Sequence, residues 1–91
     1  MRDFIVFIDD MTDNRQPETA HFQIAVAPYT PNGGSAMGTK HYSSRDHLAR
    51  DLQARLQYSP AAVERFFASD DRHDVLNKFP LSEADAAHFG W

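Results

Sequence analysis

Phe4, Ile5, Val6, Phe7 and Ile8 form the longest unbroken apolar run in the chain. Five β-branched and aromatic side chains between charged residues predict a strand, because the run is too short for a helix. Successive strand side chains point to opposite sides. Phe4, Val6 and Ile8 would therefore share one face, and Ile5 and Phe7 make the other face apolar as well. A sheet built on this strand needs cover on both sides, or it leaves one side for a partner.

Residues 11–18 are polar and include Asp13, Asn14 and Pro17, which predicts a loop or broad hairpin connection. A second strand follows over residues 21–29, with Phe22, Ile24 and Val26 on one face and Gln23, Ala25 and Ala27 on the other. Pro31, Asn32, Gly33 and Gly34 mark a turn over residues 30–35, leading to a short third strand over residues 36–42. Ser43 and Ser44 both offer N-caps, Ser43 with Asp46 as a capping-box partner, and Leu48, Ala49, Leu52 and Leu56 recur at helical spacing over residues 45–57. Ser59 and Pro60 open a second helix with Val63, Phe66 and Phe67 as its apolar stripe. The charged stretch 70–74 breaks the chain. Val75, Leu76, Phe79 and Leu81 then fit either a short strand or an irregular packed segment around Pro80. Ser82 and Asp85 cap a last helix, with Leu81 and Ala86 as its hydrophobic staple and Gly90 as its stop. The expected fold class is α+β, a small antiparallel sheet of about three N-terminal strands packed on two to three C-terminal helices. Residues 1–91 are read as a single globular domain of about 5,400 Å² accessible surface.

Nine Lys and Arg against thirteen Asp and Glu give a formal charge of -4, the wrong sign for direct nucleic-acid binding by counterion release. The five histidines reverse that sign only in acid. Without cysteine there is no disulfide framework, thiolate zinc site or cysteine nucleophile. A five-residue apolar run is far below the roughly 20 residues that span a bilayer and the 7 to 15 of a signal-peptide core. A soluble, cytoplasmic chain with no membrane partner and an unprocessed N-terminus is expected.

Residues 33–40 approach the phosphate-binding pattern G-x-x-x-x-G-K-[ST], with Gly33 and Gly38 correctly spaced. Thr39 and Lys40 stand in swapped order, however, and no helix is predicted to start there. A hairpin loop is the plainer reading, with small-molecule binding as a weaker alternative. Asp9, Asp10 and Asp13 could collect a hard cation, but their spacing is not that of a calcium loop, and a solvated acidic loop accounts for them. His21, His41, His47, His73 and His88 show no metal-ligand spacing. His73 beside Asp74 could be oriented for acid or base work. Arg45, Arg50 and Arg55 do not share one helix face, and no Ser lies in a G-x-S-x-G elbow. No catalytic residue, metal ligand or cofactor is assigned.

The feature that remains is the doubly apolar first strand. If the helices cover the side of Phe4, Val6 and Ile8, the opposite side carries Ile5, Phe7, Ala25, Ala27 and, by the third strand, Tyr42. These five are the candidate partner-binding residues. The alternative is that residues 75–91 fold across that side and make Ile5 and Phe7 ordinary core. The expected function is a non-catalytic protein-binding protein: a homo-oligomer, an accessory subunit, or a small acidic inhibitor of the phage or mobile-element type that occupies a basic groove on a host protein. The alternative function is a small metal-dependent or histidine-based enzyme, or an enzyme subunit.

Overall fold

A computed structural model describes residues 1–31 and 36–91. The elements run β1 (Arg2–Asp10), β2 (Phe22–Pro28), β3 (Gly38–Tyr42), α1 (Arg45–Arg55), α2 (Pro60–Ala68), β4 (His73–Leu81) and α3 (Glu83–His88). The fold is α+β. Its four strands form one antiparallel sheet in the order β3-β2-β1-β4. The turn predicted at residues 30–35 falls largely on residues 32–35, outside the described residues.

The segment read as either a short strand or irregular packing is a strand, which adds a fourth, after the helices, to the expected three. Opposite β1, Val6 pairs with Leu76 and Phe4 with Phe79, so Asn77 and Lys78 together oppose the single residue Ile5. This β-bulge puts Leu76 and Phe79 on one face despite their odd spacing, which hides the period of two from a reading of the sequence. Lys78 takes the left-handed backbone conformation, with φ 58°.

All three helices cover the face of β1 and β2 that carries Phe4, Val6, Ile8, Phe22, Ile24 and Val26. Leu48, Leu52 and Leu56 from α1, Val63 and Phe66 from α2, and Ala86 and Phe89 at α3 join these residues in one buried cluster. Each large side chain buried this way contributes roughly 1.5–3 kcal/mol. The helices begin on serines. Ser44 rather than Ser43 caps α1, accepting from the His47 N–H, while Ser59 and Ser82 accept from the N–H groups of Ala62 and Asp85.

Helix α3 ends as the sequence predicts. Gly90, at φ 91°, donates to the Ala87 carbonyl at 3.0 Å and Trp91 to that of Ala86 at 2.9 Å, a Schellman motif. The chain end then lies on the helix side. The Gly90–Trp91 backbone approaches Gly38 so closely that a Cβ on Gly38 would collide with it. The Trp91 ring meets Phe4 edge-on at 5.7 Å. The C-terminal segment thus supplies β4 at a sheet edge and α3 on the helix side, and does not cross the opposite face.

Candidate functional site

On the face turned away from the helices, strand pairing sets the side chains in rows. One row runs Thr39, Ala25, Phe7, Val75 across β3, β2, β1 and β4. The next, toward the C-terminal end of β1, runs His41, Gln23, Asp9, His73. Ala27 and Ile5 pair on the other side of the apolar row, beyond which Tyr29 donates its N–H to the Asp3 carbonyl at 2.9 Å.

Four of the five candidate partner-binding residues, Ile5, Phe7, Ala25 and Ala27, lie here. None belongs to the cluster under the helices or packs against it. Ile5 and Phe7 are half-buried. Ala25 and Ala27 are buried. Val75, on β4, extends the strip and is 47% exposed. Tyr42 is the exception. It pairs with Phe22, faces the helices and is 5% exposed, so it is a core residue rather than part of the exposed strip.

Polar groups frame the strip at both ends. At one end His21 Nε2 and His41 Nδ1 stand 3.1 Å apart, and His73 hydrogen-bonds Asp9 rather than its neighbour Asp74. Asp74 instead accepts from the Tyr58 hydroxyl at 2.7 Å. At the other end the Lys78 ammonium lies 5.6 Å from the centre of the Tyr29 ring. Since β4 and β2 flank β1, this cation–π contact reaches across the first strand near Ile5.

The other sequence candidates disperse. Asp9 and Asp10 point to opposite faces; Asp10 accepts from the Thr12 N–H and from Arg72, and Asp13 pairs with Arg15. Among the described residues, no group of three or more histidine and acidic side chains is placed to hold a metal ion. Gly38, Thr39 and Lys40 of the phosphate-loop-like segment belong to β3, while Gly33 lies outside the described residues. No described helix is long and apolar enough to cross a membrane.

Sequence reasoning missed one polar network, on the helix side. Asp51 Oδ2 accepts from the Tyr42 hydroxyl at 2.5 Å and lies 2.8 Å from His88 Nε2. Arg55 approaches Asp51 at 3.8 Å and pairs with Asp85 at 2.6 Å. Burial acts to raise the Asp51 pKa, but the hydrogen bonds from Tyr42 and His88 and the charges of His88 and Arg55 outweigh it and hold it below the ordinary 3.8. Burial and the Asp51 carboxylate push the Tyr42 hydroxyl well above the usual tyrosine range. The only sequence signal was the i,i+4 spacing of Asp51 and Arg55. The network ties β3, α1 and α3 together.

Fold and surface together define a small antiparallel α+β protein with one sheet face covered by helices and the other, among the described residues, bare of them. No family model, curated protein or solved structure matches the chain.

Proposed function

We propose that the chain is a non-catalytic protein-binding protein whose bare sheet face packs against the same face of a second copy. The observation that carries this reading is the strip of Ile5, Phe7, Ala25, Ala27 and Val75 lying outside the helix-covered core. Burying the rest of its larger side chains is worth a few kcal/mol that the isolated chain does not collect.

Charge favours a second copy as the occupant. Asp9 and three histidines stand at one end of the strip, and Asp3 and Lys78 at the other. A two-fold axis parallel to the strands and between β1 and β4 sets β4 of each copy over β1 of the other, bringing Lys78 toward Asp3 and His73 toward Asp9. A standard interface takes about 800 Å² per partner, roughly one seventh of the 5784 Å² surface. Face packing is also favoured over strand addition, because the β4 edge carries a bulge, Lys78 and Pro80, all of which obstruct pairing with another chain.

The polar network supports the non-catalytic part of the reading. A carboxylate already satisfied by several donors is a weak base, and a phenol bonded to it is a weak nucleophile at neutral pH.

Sedimentation equilibrium on the wild type and on Phe7→Glu tests the proposal. The wild type is expected to dimerise in the micromolar range, and Phe7→Glu to sediment as a monomer with an unchanged circular dichroism spectrum. A wild type that stays monomeric to its solubility limit, or a dimer indifferent to Phe7→Glu, would overturn it.

A further inference from the structure

In a chain with more acids than bases, most cations have an evident local role. Arg15, Arg55 and Arg72 pair with carboxylates, and Arg2, Lys40, Arg45 and Lys78 lie against aromatic rings. Lys40 and Arg50 make no ion pair among the described residues. Yet they line the same cavity, of about 240 Å³, together with His41, Ser43 and His47.

The fold brings these groups together by simple spacing. Lys40 and Tyr42 alternate on the helix side of β3, and the Lys40 ammonium lies 5.7 Å from the Tyr42 ring centre. His47 and Arg50, three residues apart, share one face of α1. The carboxylate in the lining, Asp51, is already held by Tyr42, His88 and Arg55. Asp46, one turn before Arg50, does not pair with it among the described residues. The pocket therefore presents two cations whose charge no carboxylate within ion-pair reach consumes.

We infer that this cavity binds a phosphate dianion, free or as the monoester of a small molecule. Two cations match two negative charges. A guanidinium engages two oxygens at once, while the ammonium and the Ser43 hydroxyl offer further donors. The volume lies below the roughly 300–1,000 Å³ of pockets for drug-sized ligands, so the site suits the anion with a small substituent. Polymeric nucleic acid is disfavoured by the net charge of -4. The inference does not rest on self-association, because Lys40 and Arg50 lie off the apolar strip and His41 is the one lining residue shared with its polar end.

The test titrates the full chain with inorganic phosphate and, separately, with glycerol phosphate. Sodium chloride holds ionic strength constant, and amide chemical shifts and calorimetry provide the readout. Saturable binding in the low-millimolar range is expected, with shifts concentrated in residues 40–51. Arg50→Gln and Lys40→Gln should each weaken binding by about tenfold, while Arg65→Gln on α2 leaves it unchanged. Tighter binding of the ester identifies a phosphorylated small molecule as the ligand, and tighter binding of phosphate identifies the free ion. The inference falls if phosphate shifts no more than chloride does, or if Arg65→Gln weakens binding as much as Arg50→Gln. Arg50 is exposed, so its variant carries the test even if Lys40→Gln unfolds.

Discussion

The two faces of one sheet differ in what completes them. On the helix side, Phe4, Val6, Ile8, Phe22, Ile24 and Val26 are each at most 1% exposed, and side chains from all three helices fill the space above them. On the other side the same two strands offer Ile5, Phe7, Ala25 and Ala27, with only neighbouring side chains for shelter. The difference is not one of hydrophobicity, since β1 is apolar on both sides. Supply decides it: α1, α2, α3 and the Gly90–Trp91 backbone all go to one layer.

The largest effect should separate the faces by stability. Phe22→Ala removes a ring from the packed side and is expected to cost about 3–5 kcal/mol, measured by urea unfolding. Phe7→Ala removes a ring from a half-open surface, and at concentrations too low for association it should cost about 1 kcal/mol, by area. Equal costs would mean that the second face is packed as tightly as the first.

Carboxylates sharpen the comparison at intermediate size. Asp51, on the helix side, has a side chain 13% exposed and partners from β3, α1 and α3, whereas Asp9 on the bare face is 34% exposed and bonds His73. Asp51→Asn is expected to cost about 1.5–3 kcal/mol at neutral pH, and Asp9→Asn under about 1 kcal/mol. Because the folded pKa of Asp51 lies below 3.8, its contribution is complete above the unfolded value. It fades as pH falls through the folded one. Unfolding free energies measured from pH 5 downward should therefore fall less steeply in Asp51→Asn than in the wild type. An identical slope would show that the network contributes no charge-linked stability.

The parts of this architecture that could be read from the sequence are those with an unbroken period. Phe4–Ile8, the Phe22, Ile24, Val26 alternation and the leucine spacing of α1 each carry their own phase, and the serine caps and Gly90 mark helix ends by local chemistry. Tyr42 and β4 do not. The phase of β3 is set by how the turn before it joins β2, and a slip of one residue moves every side chain to the other face. Without that join the sequence leaves the side of Tyr42 open, and pairing with Phe22 puts it under the helices. In β4 the bulge at Asn77 and Lys78 breaks the alternation that would announce a strand. The Asp51 network joins residues up to 46 positions apart, from Tyr42 to His88, and the cavity beside it joins Lys40 to Arg50 across a strand and a helix. Neither has a spacing rule that a linear reading could apply.

The smallest predicted effect asks whether the bare face has internal order before anything binds it. Lys78 adopts a backbone conformation that L-residues other than Asn and Asp rarely take, and its ammonium crosses β1 to Tyr29. The two features oppose each other in substitution. Lys78→Gly relieves the backbone by up to about 1 kcal/mol but loses a cation–π contact worth roughly 0.5–1 kcal/mol at an exposed site. Its net effect on stability should be near zero. A double-mutant cycle separates the terms: with Lys78→Gly, Tyr29→Ser and the double variant, the backbone relief cancels and the coupling remains. A coupling of about 0.5 kcal/mol would show that the latch over Ile5 is formed in the monomer, so that docking on this face must displace or incorporate it. No coupling would mean that the bare face differs from the covered one even more sharply, held in place, among the described residues, by the strand ladder alone.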